Sequence, residues 1–301
     1  MLLRTRFALA APPALFALAC AACAPAEAGP PRSPAPDAAR APSAPAPSAA
    51  PAPSEALRAA LENPARTAAE RARDAHRHPG ETLAFFGLRE DMNVVEIYPG
   101  GGWYTAILAP YLRDKGSLTI FGGDPKGPPG TEGTVLAKRL ADRFASAPET
   151  FGKVRVLVEP PSGEAEFGPE GSADAVLVFR EIHGWIAAGE TGRALAKVRR
   201  VLKPGGVLGL EAHRAAPGAP SDPKTVERTG YVPEAEVIRL VEAAGFRLAG
   251  RSEVNANPRD TRDHPEGVWT LPPTFVLKDK DRAKYEAIGE SDRMTLKFVK
   301  L

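Results

Sequence analysis

The residues best suited to chemistry stand just after runs of Val, Ile and Leu. One such run ends Val94-Val95-Glu96-Ile97-Tyr98-Pro99 and passes into Gly100-Gly101-Gly102, then Trp103-Tyr104-Thr105. Three adjacent glycines between a strand and a helix let the main chain turn tightly and come close to a ligand. Glu96, about one turn earlier, offers a carboxylate that accepts a hydrogen bond. A dinucleotide fingerprint needs a further glycine where Thr105 stands, because that glycine lets helix and strand pack beneath a pyrophosphate. The dinucleotide pattern is therefore incomplete. Two histidines occupy similar positions after later runs: His183 beyond Ala175–Phe179, and His213, followed by Arg214, beyond Val207–Glu211. An imidazole titrates near neutrality, so each is a natural proton acceptor, or else a structural group bonded to the backbone. Arg214 suits an acceptor carboxylate or phosphate, or equally an acidic neighbour that it locks in place. No two histidines have a short ligand spacing such as H-x3-H, so no metal site is expected.

The elements that must position these groups follow from the apolar pattern. Asn63-Pro64 reads as a helix start, with Asn as cap and Pro in the first turn, and the helix runs to Ala75. His78-Pro79-Gly80 breaks it, and a short helix from Glu81 to Phe86 ends at Gly87. Strands are expected at Val94–Ile97, Leu118–Phe121, Val154–Val158, Ala175–Phe179, Val207–Glu211, Phe246–Val254 and Met294–Val299. Helices are expected at Tyr104–Leu112, Thr134–Phe144, Arg193–Leu202 and Glu234–Ala244. Strands without polar alternation are covered on both faces, which means a mainly parallel sheet flanked by helices: an α/β, Rossmann-like, doubly wound fold. In such sheets the ligand lies beyond the carboxyl ends of the strands. The long polar stretch Asn255–Pro273, between the last two strands, reads as a lid that brings His264 and Trp269 towards the substrate.

The chain has 301 residues with Lys+Arg 39 against Asp+Glu 37, a net charge of +2. That balance carries no electrostatic footprint for nucleic acid. Arg4 and Arg6, then an apolar run from Phe7 to Ala19, then small residues around Cys20 and Cys23, have the layout of an export signal over residues 1–23. The run is too short to span a bilayer, which takes about 20 apolar residues. Both cysteines lie there; Ala17-Leu18-Ala19-Cys20 and Cys20-Ala21-Ala22-Cys23 each resemble a bacterial lipobox, so a lipidated Cys20 or Cys23 is expected to tether the protein at the cell envelope, with an ordinary cleaved signal as the alternative. Residues 24–54 are almost entirely Ala, Pro and Ser and read as an extended tether. Residues 55–301 remain for one α/β domain without cysteine.

Glu96-Ile97-Tyr98-Pro99-Gly100-Gly101-Gly102 resembles the first motif of class I S-adenosylmethionine-dependent methyltransferases: an acidic residue, a short spacer and G-x-G. Leu202-Lys203-Pro204-Gly205-Gly206 resembles the turn before that family's fifth strand. A narrower resemblance, covering nearly the whole chain from Asn63, is to predicted exported methyltransferases of Gram-negative bacteria. It rests on His78-Pro79-Gly80-Glu81-Thr82-Leu83, the Pro99–Thr105 turn, Phe179-Arg180-Glu181-Ile182-His183-Gly184-Trp185, Glu211-Ala212-His213-Arg214, the stretch from Asn257 to Trp269, and Gly289-Glu290-Ser291-Asp292-Arg293.

The resemblance implies a seven-stranded sheet with a final antiparallel strand, preceded by an N-terminal helical segment. It implies S-adenosylmethionine held by Glu96, Gly100, Gly101 and Gly102, with Asp124 on the ribose hydroxyls and Glu159 as the nearest polar residue for the adenine. His183 and His213 would then be catalytic, and Trp185, Arg214, His264 and Trp269 would meet the acceptor, Trp185 through its ring face towards the sulfonium. The implied activity is methyl transfer to a small molecule or envelope component. Because S-adenosylmethionine is made in the cytoplasm, an exported protein of this fold that binds another metabolite is the alternative. A nicotinamide-dependent oxidoreductase is disfavoured by Thr105 and the final strand hairpin.

Overall fold

Alternate residues of the central strands feed two separate cores, one on each face of a sheet. The computed structural model describes residues 51–160 and 163–301. The signal-like segment with Cys20 and Cys23, the tether up to residue 50, and Pro161-Ser162 lie outside the described residues. The first elements are helices α1 (Glu55–Leu61), α2 (Ala68–Ala72), α3 (Asp74–Arg77) and α4 (Pro79–Phe86). Then come β1 (Asn93–Ile97), α5 (Thr105–Leu112), β2 (Ser117–Gly122), α6 (Glu132–Ser146), α7 (Pro148–Phe151) and β3 (Arg155–Val158). They are followed by β4 (Ala173–Phe179), α8 (Ile182–Ala188), α9 (Thr191–Val201), β5 (Leu202–His213), α10 (Pro223–Thr229) and α11 (Glu234–Ala243). The chain ends with β6 (Phe246–Ser252), a 3-10 turn at Gly267–Thr270, α12 (Arg282–Ile288) and β7 (Arg293–Lys300).

The strand order is β3-β2-β1-β4-β5-β7-β6. Pairs from β3 to β5 are parallel, and β7 runs antiparallel to both β5 and β6. Successive side chains of a strand point to opposite faces. Val95, Ile97, Val176 and Val178 therefore join Leu195, Val198, Val237 and Val241 of the helices on one face. Val94, Leu118, Ile120 and Leu177 join Leu57, Leu83, Phe86 and Ile107 on the other. The order reverses between β1 and β4, so their carboxyl ends frame a crevice.

The first helix differs from the expectation. It starts ahead of Asn63, at the first residue of the expected domain: the Ser54 hydroxyl accepts the Leu57 N–H at 3.2 Å and starts α1, whose Leu57 and Ala60 are buried. The Asn63 side chain instead accepts the Ala65 N–H at 2.9 Å, a local turn that competes with helix. Thr67 and Glu70 then start α2 with a reciprocal capping box. Unforeseen helices α8, α10 and α12 are short; α10 opens on an Asp222 cap followed by Pro223.

The glycine turn is built on what surrounds it. Gly100 and Gly102 take positive φ, +58° and +78°, and a Cβ on Gly102 would come within 2.5 Å of Leu140. Gly101 has neither constraint. The next three residues are all buried anchors. The Trp103 indole donates to the Glu70 carbonyl at 3.1 Å, with the Arg77 guanidinium 4.9 Å from its ring. Tyr104 stacks on Phe179 at 3.6 Å and donates to Glu211 at 3.1 Å. The Thr105 hydroxyl donates to Glu96 at 2.6 Å.

Glu211, with 0% exposure, accepts from Arg293 at 3.2 Å as well as from Tyr104. Replacing Glu211 by Ala strands both donors in a dry site and should cost about 3–5 kcal/mol, read as a denaturant midpoint shift. The half-exposed Glu253 also pairs with an arginine, and Glu253→Ala should cost less than about 1 kcal/mol. Equal losses would show that burial is not what gives Glu211 its weight.

Candidate functional site

A cavity of about 780 Å³ lies over the carboxyl ends of β1, β2, β4 and β5. Tyr98, Pro99 and Gly100 supply one wall, Gly122 and Gly123 a second, and Arg180, Glu181 and His183 a third. His213, Trp269, Glu290 and Ser291 close the far end, and the space also runs beneath α6 between Leu136, Leu140 and Val156.

At the glycine end, only part of the expected cofactor set lines this space. Gly100 does, and a Cβ there would meet nothing within 4 Å, so bare main chain faces the opening. Gly101 is exposed and Gly102 is buried beneath the turn. Glu96, expected to hold the cofactor, is sealed under the turn against Thr105 and does not line the cavity. Burial pushes its carboxyl up to about 7 against the lowering effect of the Thr105 hydrogen bond. Asp124 sits between two lining residues, Gly123 and Pro125, but its carboxylate accepts the Lys126 N–H at 2.8 Å. Glu159 lines a smaller cavity of about 240 Å³ that shares Tyr98 and Glu181 with the large one.

The sequence reading missed Glu132 and Glu181, the carboxylates that do line the glycine end. Burial, then Glu159 and Glu132, pushes Glu181 up to about 8. Its position directly after β4 was a readable signal. The tight backbone of Tyr98 and Arg180, with φ of 46° and 59°, was not, because neither is a glycine.

At the far end, His183 and His213 stand with ring centroids 5.8 Å apart. His183 lies in the first turn of α8, and His213 ends β5. The His213 Nδ1 is 2.6 Å from the Ser291 hydroxyl, whereas the His183 Nδ1 is buried and has no hydrogen-bond partner among the described residues. Burial, then the Arg180 charge, pulls His183 down to about 4. Burial, then His183 and Arg180, pulls His213 well below the ordinary value. Both imidazoles are thus neutral at pH 7. The Trp269 ring lies 6.1 Å from His183 and walls the same end.

Three expected acceptor residues are elsewhere. Trp185 is two residues from His183 on α8, hence on another face, and packs in the core. Arg214 follows His213, so its side chain turns the other way; it binds Asp292 at 2.9 Å and Glu253 at 2.6 Å, and ties loops together. His264 is buried with its Nε2 2.8 Å from Asp260, which also accepts from the Tyr231 hydroxyl and the Asp292 N–H. That junction pins the polar stretch, which brings Trp269, Pro272 and Pro273 to the cavity but not His264.

The sequence matches no family profile and no curated protein. Its architecture, however, matches solved structures. An S-adenosylmethionine-dependent methyltransferase from Aquifex aeolicus is 18% identical over 81% of this chain and 97% of that one, with a TM-score of 0.50. A putative sarcosine dimethylglycine methyltransferase from Galdieria sulphuraria is 15% identical over 77% and 87%, with a TM-score of 0.52. The cyclase SpnF is 18% identical over 79% and 85%, with a TM-score of 0.50. At such identities the likeness is one of fold, and the presence of a cyclase in the group separates fold from reaction. The chain has the Rossmann-like architecture of class I S-adenosylmethionine-dependent methyltransferases.

Proposed function

We propose that the protein transfers a methyl group from S-adenosylmethionine to a small acceptor. The observation that carries this reading is a single cavity that joins the bare Gly100 turn to two neutral histidines. The residues fit the cofactor: Gly100 leaves room for close approach to the main chain, and the Glu132 carboxylate suits a ligand that is itself a cation. Asp124, beside the lining, is the residue that would turn to a ribose. When bound, this group supplies an activated methyl on a sulfonium.

The chain's own residues then hold the acceptor and move its proton. His183 lines the cavity and takes a proton from an acceptor hydroxyl or ammonium, and Trp269 keeps water from that end. His213, steadied by Ser291, presents its other nitrogen to the same space. The N-terminal segment is read as an export signal, with Cys20 or Cys23 as a lipid anchor at the envelope.

Titration calorimetry of the chain with S-adenosylmethionine and S-adenosylhomocysteine should give binding heat for both; silence from both at high micromolar concentration would sink the methyl-transfer reading. His183→Ala should keep the affinity for S-adenosylhomocysteine while transfer of labelled methyl into an envelope extract drops about a hundredfold or more. With the wild type, transfer should show no inflection near the ordinary imidazole value of 6.5, because His183 is already deprotonated well below it. A midpoint near 6.5 would point to an exposed histidine instead. For export, a Cys20→Ser, Cys23→Ser double variant should leave the membrane fraction; unchanged membrane association would exclude lipid anchoring through these cysteines.

A further inference from the structure

Beneath the far end of the cavity, four guanidinium groups share two carboxylates. Glu290 accepts from Arg73 at 2.7 Å and Arg77 at 2.8 Å, and lies 3.2 Å from Arg293. Glu211 takes Arg293 at 3.2 Å, the Tyr104 hydroxyl at 3.1 Å and the Asn255 amide at 3.4 Å. Both carboxylates are thereby committed to other donors.

Arg180 is left over. It lines the cavity, its nearest carboxylate oxygen lies 3.9 Å from its Nε, and its guanidinium makes no hydrogen bond to any described residue. Its main chain is fixed at positive φ by a 2.7 Å hydrogen bond from its N–H to the Glu211 carbonyl, which sets the direction of the side chain. Counted as charges, the cluster holds Arg73, Arg77, Arg180 and Arg293 against Glu211 and Glu290, a surplus of two positive charges in a place largely removed from water. Like charges in a poorly solvated site repel strongly, and an anion between them offsets the cost. The same repulsion is felt throughout the cluster: after burial, the Arg180 charge is the next cause that lowers both Arg77 and His183.

We propose that Arg180, together with the Ser291 hydroxyl on the lining of the same cavity, forms an anion subsite and that the methyl acceptor carries a carboxylate or phosphate group docked there. This rests on the methyl-transfer reading for the word acceptor, but the subsite itself does not. A planar guanidinium with free donors matches two oxygens of either group. The opposite end of the cavity carries Glu132 and Glu181 and offers an anion no guanidinium. Trp269, Pro272 and Pro273 give the acceptor's remaining body an apolar wall. A second source of the same chemistry is the amino-acid carboxylate of the cofactor.

The test uses inorganic phosphate on the chain, followed by titration calorimetry with and without saturating S-adenosylhomocysteine. Wild-type protein should bind phosphate saturably, and equally well when S-adenosylhomocysteine is present. Arg180→Gln should weaken phosphate about tenfold or more, the loss of one charge-assisted contact, with Arg180→Lys in between. Both variants should keep the wild-type affinity for S-adenosylhomocysteine. Arg239→Gln, which removes an exposed guanidinium paired with Glu236, should change nothing. The proposal is overturned if wild type binds no phosphate, if Arg180→Gln binds it undiminished, or if Arg239→Gln loses it equally. It is also overturned if phosphate competes with S-adenosylhomocysteine, since the cofactor's own carboxylate would then occupy the site. Phosphate binding without any S-adenosylhomocysteine binding would keep the subsite and remove methyl transfer; the reverse would remove the subsite alone.

Discussion

Glu211 and Arg293, opposite members of a buried ion pair at 3.2 Å, connect parts of this molecule that are far apart in sequence. Glu211 stands near the end of β5 and Arg293 opens β7, so the pair bridges neighbouring strands where they meet the cavity. From there it reaches the glycine turn through Tyr104, the polar stretch through Asn255, and the N-terminal helices through the bond from Arg293 to the His76 carbonyl. Taking such charges out of water is costly, and the cost is offset only when every partner is in place. The N-terminal helices, the turn and the long stretch before β7 are therefore held to one arrangement by a shared electrostatic requirement, and the two clusters of apolar side chains pack around it.

That requirement also shapes the chemistry above it. Burial holds the two histidines neutral, and the Arg180 charge adds to it. Glu290, raised by burial but lowered more by Arg77, Arg293 and Arg73, stays ionised with its carboxyl held at about 2. At the other end of the cavity the balance is reversed: Glu181 is buried near Glu159 and Glu132 and keeps its proton to about 8. A cavity with a guanidinium at one end and only carboxyl groups at the other favours an anion at the first before any shape is matched.

Much of the fold was legible in the sequence because strand and helix periodicities are local. Val94–Ile97 and Ala175–Phe179 read as covered strands, and their neighbours in the sheet follow from the alternation with helices. The first helix boundary was misread since Asn63-Pro64 looks like a cap, while Ser54, in a stretch of Ala and Pro, looks like tether. Short helices such as α8 and α12 stayed hidden because a few residues show too little period to register.

The sequence by itself determined which strand ends would carry the site: the glycine turn, His183 and His213 all announce themselves by residue type and by position after an apolar run. Which side chains then enter the cavity was decided only by tertiary structure. Neighbours one or two residues apart on a strand or short helix point to different faces, so Trp185 and Arg214 turn away while His183 and His213 turn in. His264 is captured by Asp260 from within the folded stretch, and the Arg180 side chain is left without a hydrogen-bond partner among the described residues because distant arginines reach its carboxylates first. Competition among charges that are remote in sequence and adjacent in space has no local signature, and it is this competition that sets the charge of the site.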